Sequence, residues 1–304
     1  MRQLQLFVAT CDAGTVTGAA QRESISQSAV SAALAELERE LGLQLLIRHH
    51  AHGVAPTPAG RQLLLRARGL LHQAADLDRL ALEISDEVAG RIALGCLVTL
   101  APIITPKLCR EFRQRHPHVE IELREGGQDG LLAMLRQGEL NLALSYDLDI
   151  PGDITFDPLA ELPPSVLLPA HHALAKRHDV DLTELAAEPY ILVDLPMSRD
   201  YFRALFLSKG LQPNIAMRSA HLETIRTLVA NGFGYSLLNV RPALDRALDG
   251  LPLAIVPLSG NHRPMILGVA TLARVRQPNA VAAFHAHCRA MISNQAIPGM
   301  NLHS

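Results

Sequence analysis

Ser26, Gln27, Ser28 and Ser31 open a helix-forming stretch, and together they carry the functional groups that read a DNA duplex. A glutamine amide donates and accepts at once against adenine, and serine hydroxyls reach base edges or phosphates. Ser26 has a second use, because a serine just before an apolar helical period accepts from the free amides of the first turn. An ordinary pair of core helices carries a similar pattern, so the rest of the chain has to decide between the two. Other chemistries find little support. The sequence holds no G-x-S-x-G elbow, no Walker-type glycine loop, no H-E-x-x-H and no dinucleotide glycine fingerprint opening a helix. Cys11, Cys96, Cys109 and Cys288 share no ligand spacing and read as buried structural thiols. No catalytic residue, metal or cofactor is expected.

Reading a major groove requires two short helices in a fixed relation. Val16, Ala19 and Ala20 form one small apolar face; Ala29, Val30, Leu34, Leu37 and Leu41 form a second, and Ser24-Ile25-Ser26 breaks the period between them. That pattern predicts a helix-turn-helix over 17–42. From Ala59 to about Glu87 a longer stripe follows, with Leu63, Ala67, Leu70, Ala74, Leu77, Leu80 and Ile84 at three- and four-residue steps. A helix of about 29 residues spans about 43 Å at 1.5 Å per residue, and a stripe that long needs a partner. Beyond Gly90 the texture alternates. Strands are expected at 91–97, 119–125, 140–146, 166–168, 191–194, 214–219, 235–238, 253–257 and 265–272. Helices are expected at 102–115, 130–137, 199–208, 221–231 and 279–293, which argues a mostly parallel α/β sheet arranged as two lobes.

The chain has 304 residues, enough for two or three domains. Hydrophobic residues make up 48% without an uninterrupted run near the length of a membrane span, and the first residues carry neither a basic n-region nor an apolar h-region. The expectation is a cytoplasmic protein with no membrane partner. Formal net charge is −2, but between Met1 and Leu70 there are seven arginines against five acids. So small a basic surplus requires DNA affinity to come from two copies acting together and from base readout as well as phosphate attraction.

The block from Leu6 to Gly60 resembles the winged helix-turn-helix of LysR-type transcriptional regulators. The resemblance is carried by Ala19-Ala20, Ser26-Gln27-Ser28-Ala29-Val30-Ser31, Leu37-Glu38, Leu41-Gly42, Leu45, Arg48 and Thr57-Pro58-Ala59-Gly60. Three positions depart from the family pattern: Glu23 replaces a buried Leu, Leu46 replaces a Phe, and Pro56 stands where Leu usually precedes the Thr. The resemblance implies an α/β protein with an N-terminal winged helix-turn-helix (1–58), a long linker helix for dimerisation (59–89) and a two-lobe periplasmic-binding-protein-like effector domain (90–304). Lobe I would take 90–163 and 265–304, and lobe II 164–264. It further implies a homodimer, or a dimer of dimers, on an interrupted palindrome of double-stranded DNA, with Ser26, Gln27, Ser28, Ser31, Arg48 and Thr57 at the DNA. His49-His50-Ala51-His52 then falls at the wing, where partly protonated imidazoles beside phosphate explain it more simply than a metal does.

A small-molecule effector is expected between the lobes, since ligands of open α/β sheets sit beyond the C-terminal ends of strands. The residues placed there are Thr99 and Leu100, Gln128, Ser145 and Tyr146, then Asp194, Ser198, Tyr201 and His221 from the second lobe. The resemblance singles out Thr99, the position from which many LysR-type proteins hydrogen-bond an effector carboxylate. His221, His262 and Arg218 would favour an acid, whereas Asp194, Asp147 and Glu223 would favour an amine, so the ligand class stays open. Two alternatives use the same two-lobe plan: a cytoplasmic small-molecule-binding protein, or an enzyme such as a hydrolase.

Overall fold

The computed structural model describes residues 1–49, 53–82 and 88–301, and within them all side chains except those of 48–49, 72–73 and 75–82. The side chains of Arg48 and Leu77, and the histidine tract 49–52, therefore lie outside the described residues. The chain packs as two units, Met1–Glu87 with Arg136–Glu139, and Val88–Leu135 with Leu140–Ser304.

In the first unit, α1 (Arg2–Ala13) ends at Gly14, whose φ of 64° is the left-handed conformation that suits glycine. The chain then turns into α2 (Val16–Arg22) and α3 (Gln27–Leu41). Leu6, Phe7, Ala19, Ala20, Val30, Leu34, Leu37, Leu45 and Leu46 form one core. The stripe on α3 is narrower than the periodicity suggested: Val30, Leu34 and Leu37 are buried, while Ala29 and Leu41 are exposed. The three departures from the family pattern each find a local solution. Glu23 meets Arg2 of α1 at 2.9 Å, so its half-buried carboxylate is paired. Leu46 is buried in the core, and Pro56 ends the two-stranded wing, β1 (Leu46–His49) against β2 (Gly53–Pro56), where a missing donor is tolerated.

Glu38 ties α3 to that wing. Its Oε1 accepts from the amides of Leu45 and Leu46 at 2.7 and 3.1 Å, closing the turn after the helix. The long helix α4 (Pro58–Leu82) starts at Thr57, whose hydroxyl donates to the Gln44 carbonyl at 2.8 Å and accepts from the Gly60 amide at 2.9 Å. A Cβ at Gly60 would lie 2.0 Å from the Leu45 carbonyl oxygen, so this close passage requires glycine. Along α4, Ala67 is buried, whereas Leu65 and Leu70 are 48% and 46% exposed.

The second unit begins with β3 (Gly90–Leu97), α5 (Ala101–Arg115), β4 (Val119–Gly126), α6 (Gln128–Arg136), β5 (Leu142–Tyr146) and β6 (Ile154–Leu162). It continues through β7 (Ser165–Pro169), α7 (Leu182–Leu185), β8 (Pro189–Val193), α8 (Pro196–Ser208), β9 (Asn214–Ser219) and α9 (Leu222–Ala230). Then come β10 (Ser236–Leu238), β11 (Leu253–Pro257), β12 (Met265–Leu272) and α10 (Asn279–Met291). The first lobe holds a sheet in the order β4-β3-β5-β12-β6, and the second lobe holds β10-β7-β11 and β8-β9. A bridge between Tyr190 and Tyr235 joins the latter two.

The large sheet is mixed rather than mostly parallel, the three-stranded sheet is antiparallel, and β8-β9 is wholly parallel. β3 runs parallel to β4 and β5, but β12 is antiparallel to β5 and β6, and β7 is antiparallel to both its neighbours. β12 has this direction because it re-enters the first lobe only after the chain has passed through the second. β6 was not anticipated, because Pro158 interrupts its apolar alternation. It is accommodated because β6 is an edge strand and its register against β12 shifts at Leu267/Gly268, next to the proline.

Two crossings of the chain, 163–164 and 258–264, connect the lobes. Asn239 after β10 donates to the Leu162 carbonyl at 2.7 Å, and the Tyr201 hydroxyl on α8 donates to the Arg263 carbonyl at 2.6 Å. Asp147 after β5 takes Arg263 at 2.7 Å and the Ile266 amide at 3.0 Å. The segments that would flex in any lobe movement are thus each held by a side chain from the lobe they enter or leave.

Candidate functional site

Two surfaces carry unusual polar arrangements. The first is the N-terminal turn of α3. Ser26 is the N-cap, with extended backbone and its hydroxyl accepting from the Ala29 amide at 3.2 Å, and it also contacts the Ser28 hydroxyl at 3.0 Å. Ser24, at φ 53°, makes the sharp turn that aims the helix. Gln27 and Ser28 are exposed and Ser31 is half-exposed, and no acidic residue lies in the first turn. The Gln27 amide donates to the Thr17 hydroxyl of α2, which holds the side chain across the two helices. This turn therefore presents hydroxyls and one amide without a repelling carboxylate, at the positive end of a helix dipole. Thr57 is placed differently. Its only proton is committed to the Gln44 carbonyl, so it organises the wing-to-α4 junction and has no donor left for a phosphate.

The second surface is the cleft between the lobes of the second unit. A cavity of about 220 Å³ is lined by Leu97, Thr99, Gly127–Gly130, Tyr146 and Leu195–Ser198. A smaller recess of about 20 Å³ continues from it past Thr99, Tyr146 and Ser198 to Phe202, Asn239, Val240 and Met265. Strand ends and helix starts converge here for the reason expected of open α/β sheets. Thr99 follows β3, Gln128 opens α6, Tyr146 ends β5, and Ser198 lies in the first turn of α8. The α8 N-cap is Leu195, which makes no side-chain cap, and Pro196 has no N–H, so the amides of Met197 and Ser198 are the ones left for an acceptor. Thr99 hydrogen-bonds the Tyr146 hydroxyl, and burial holds that phenol well above its ordinary range.

Of the sequence-derived candidates, Thr99, Gln128, Tyr146 and Ser198 come together in this cleft. The others go elsewhere. Leu100 is fully buried behind α5, and Ser145 lies inside β5 with its hydroxyl buried and unpartnered. Asp194 pairs with Arg199 at 3.2 Å, and His221 is the exposed N-cap of α9; neither lines the cleft. Tyr201 borders a neighbouring cavity of about 390 Å³ between α8 and the second crossing, together with Asp149, Asp200, His262 and Arg263. Phe202, Asn239, Val240 and Met265 were not anticipated. Asn239 had a legible signal, since it follows the apolar run of β10 and the strand-end rule extends to it.

Metal and thiol chemistry find no foothold among the described residues. No group of three or more His, Cys, Asp or Glu is placed to hold a metal. All four cysteines are free, and burial pushes the thiols of Cys11 and Cys109 up to about 11, away from the reactive thiolate.

A winged helix-turn-helix and a two-lobed α/β fold with a cleft, carried on one chain, define a ligand-binding DNA-reading protein. Residues 1–61 match the family model for the bacterial regulatory helix-turn-helix protein of the lysR family, and residues 85–293 match the LysR substrate binding domain. The chain belongs to the LysR family of transcriptional regulators. Among solved structures it is similar to HinK, a LysR family transcriptional regulator from Pseudomonas aeruginosa. Identity is 37%, covering 97% of this chain and 99% of that one, with a TM-score of 0.67. A full-length OxyR variant from Pseudomonas aeruginosa is 25% identical over 94% of this chain and 96% of that one, with a TM-score of 0.73. The HTH-type transcriptional regulator CysB of Haemophilus influenzae is 28% identical, covering 89% of this chain and 84% of its own. The protein is thus a DNA-binding transcriptional regulator with an effector-binding domain. No described helix is long and apolar enough to cross a membrane.

Proposed function

We propose that α3 enters the major groove with Gln27 and Ser31 reading bases, while Ser26, Ser28 and Arg48 position the duplex through phosphate contacts. Thr57 acts one step back, fixing the wing against α4. The observation that carries this reading is the capped, carboxylate-free first turn of α3 with Gln27 exposed upon it. The Thr17 hydroxyl steadies the glutamine beforehand, which lowers the ordering cost of a bidentate contact to adenine.

Two copies are needed, because the single N-terminal unit has little excess positive charge. Leu70, on the apolar stripe of α4, is a large side chain left in solvent by the single chain, and pairing through this helix covers it. Such a homodimer, alone or as a dimer of dimers, engages an interrupted palindrome in the cytoplasm and turns over no substrate. The effector occupies the cleft at Thr99, Gln128, Tyr146 and Ser198. It acts by binding one arrangement of the assembly better than another, since only a difference in affinity shifts an equilibrium.

Hydroxyl-radical footprinting on an operator tests the reading. Two protected segments on one face of the duplex, related by inverted sequence and both weakened by Gln27→Ala, are expected. A single protected segment insensitive to that substitution would refute it.

A further inference from the structure

We infer that the effector of this protein is an uncharged small molecule carrying N–H or O–H donors, not a carboxylate or phosphate; the inference rests on the cleft being the effector site. Two buried side-chain amides set the chemistry. Gln128, 5% exposed, lines the larger cavity, and its NH2 is committed to the Leu148 carbonyl. That bond fixes which way round the amide lies, so the remaining Oε1 is an acceptor, and it is buried without a partner. Asn239, also 5% exposed, lines the smaller recess in the same condition: its NH2 donates to the Leu162 carbonyl at 2.7 Å and its Oδ1 is buried and unpartnered. A buried acceptor without a donor is costly, and the ligand that relieves the cost brings a donor to it.

Formal charge points the same way. Among the described residues, no Arg, Lys or His lines either cavity, and the only carboxylate that does is Asp129. The charged groups that left the ligand class open in the sequence line neither: Asp147 is taken by Arg263, Asp194 by Arg199, and His262 borders the neighbouring cavity. An anionic ligand would be desolvated facing two carbonyl oxygens and a carboxylate, opposed by neutral donors alone: the hydroxyls of Thr99, Tyr146 and Ser198 and the starts of α6 and α8. A helix end supplies about half an elementary charge, suited to a carbonyl or hydroxyl oxygen more than to a full anion. Leu97, Leu195, Pro196 and Met197 give part of the lining an apolar character that suits a hydrocarbon body. The recess beside Asn239 has room for one small group, such as a hydroxyl.

The test is a thermal-shift screen of the full chain against matched series built on common aliphatic and aromatic skeletons. Each series holds a primary amide, an alcohol, a carboxylate, a phosphate ester and a methyl ester. The expected result is a rise in Tm confined to amide and alcohol members, reduced at least tenfold in affinity by Gln128→Leu and abolished by Ser198→Trp, which fills the cavity. A rise given by carboxylates or phosphates and lost in Ser198→Trp overturns the ligand class while leaving the cleft in place. A rise of any kind that survives Ser198→Trp overturns the cleft itself, and no rise from any neutral donor overturns the ligand class. Should Ser198→Trp not fold, the structure of a hit complex decides the same points. The inference requires a ligand donor within hydrogen-bond reach of Gln128 Oε1 or Asn239 Oδ1, and a hit bound elsewhere contradicts it.

Discussion

Glu38→Ala should destabilise the DNA-reading unit without touching its readout. One carboxylate oxygen accepts from two backbone amides, Leu45 at 2.7 Å and Leu46 at 3.1 Å, at the joint between α3 and the wing. Hydrogen bonds to charged groups contribute about 1.5–3 kcal/mol each. Because Glu38 is only half-buried and one oxygen serves both amides, water recovers part of the loss, so about 2–3 kcal/mol in total is expected. For a unit of this size each kcal/mol moves the midpoint by about 4–8 °C, so its thermal transition should fall by roughly 10–20 °C. Glu38→Gln keeps a neutral acceptor and should lose about half as much. The assay is calorimetric unfolding of the whole chain, with the transition of the second unit as internal reference, beside operator binding at low temperature. There the variant is still folded, and its base preferences should match the wild type, since Glu38 lies well past the first turn of α3. A midpoint within about 2 °C of wild type would refute the hydrogen-bond reasoning, and altered base preference would refute the claim that Glu38 is structural.

Gln27→Ala should relax discrimination at one base pair per half-site by about 1–3 kcal/mol, read by competition between operators differing at single positions. Leu70→Asp should abolish stable pairing, because association would have to bury an unpaired carboxylate; sedimentation velocity reads it, and an intact dimer would remove α4 as the pairing element. Thr99→Val deletes the partner of the buried Tyr146 hydroxyl as well as a cleft hydroxyl, so it should lower the ligand-free midpoint of the second unit, an effect of about 1 kcal/mol. Lys209 and the Thr183 amide hold the Asp181 carboxyl well below its ordinary value of 3.8. Its stabilisation is therefore full above about pH 4 and is lost as pH falls toward the lowered folded value. Asp181→Asn should flatten that acid limb in a midpoint-versus-pH series, and an unchanged limb would count against the pairing.

Helix α3 was legible because its determinants are local. Ser26 as cap, the break at Ser24–Ser26 and the stripe of Val30, Leu34 and Leu37 all act within a few residues of one another. The same periodicity over-assigned Ala29, at the margin of the stripe, and Leu41, on the stripe but at the last residue of α3; both are exposed. In the second unit the strand-end rule found Thr99, Gln128, Tyr146 and Ser198. Proximity in sequence misled at Asp194 and His221, which an ion pair and a helix start already employ. Asn239 is held by a carbonyl 77 positions away, a relation no window of sequence contains. Pro158 hid β6 because a proline breaks a strand in general but not at a sheet edge beside a register shift.

Binding-site selection from random duplexes with the wild-type chain tests most directly whether a paired, sequence-reading α3 underlies regulation. The expected product is a short motif present twice in inverted orientation at a fixed spacing, with contrast lost at one base pair of each copy when Gln27→Ala replaces the wild type. Enrichment of no motif, or of one unsymmetrical motif that the substitution leaves unchanged, would contradict the account.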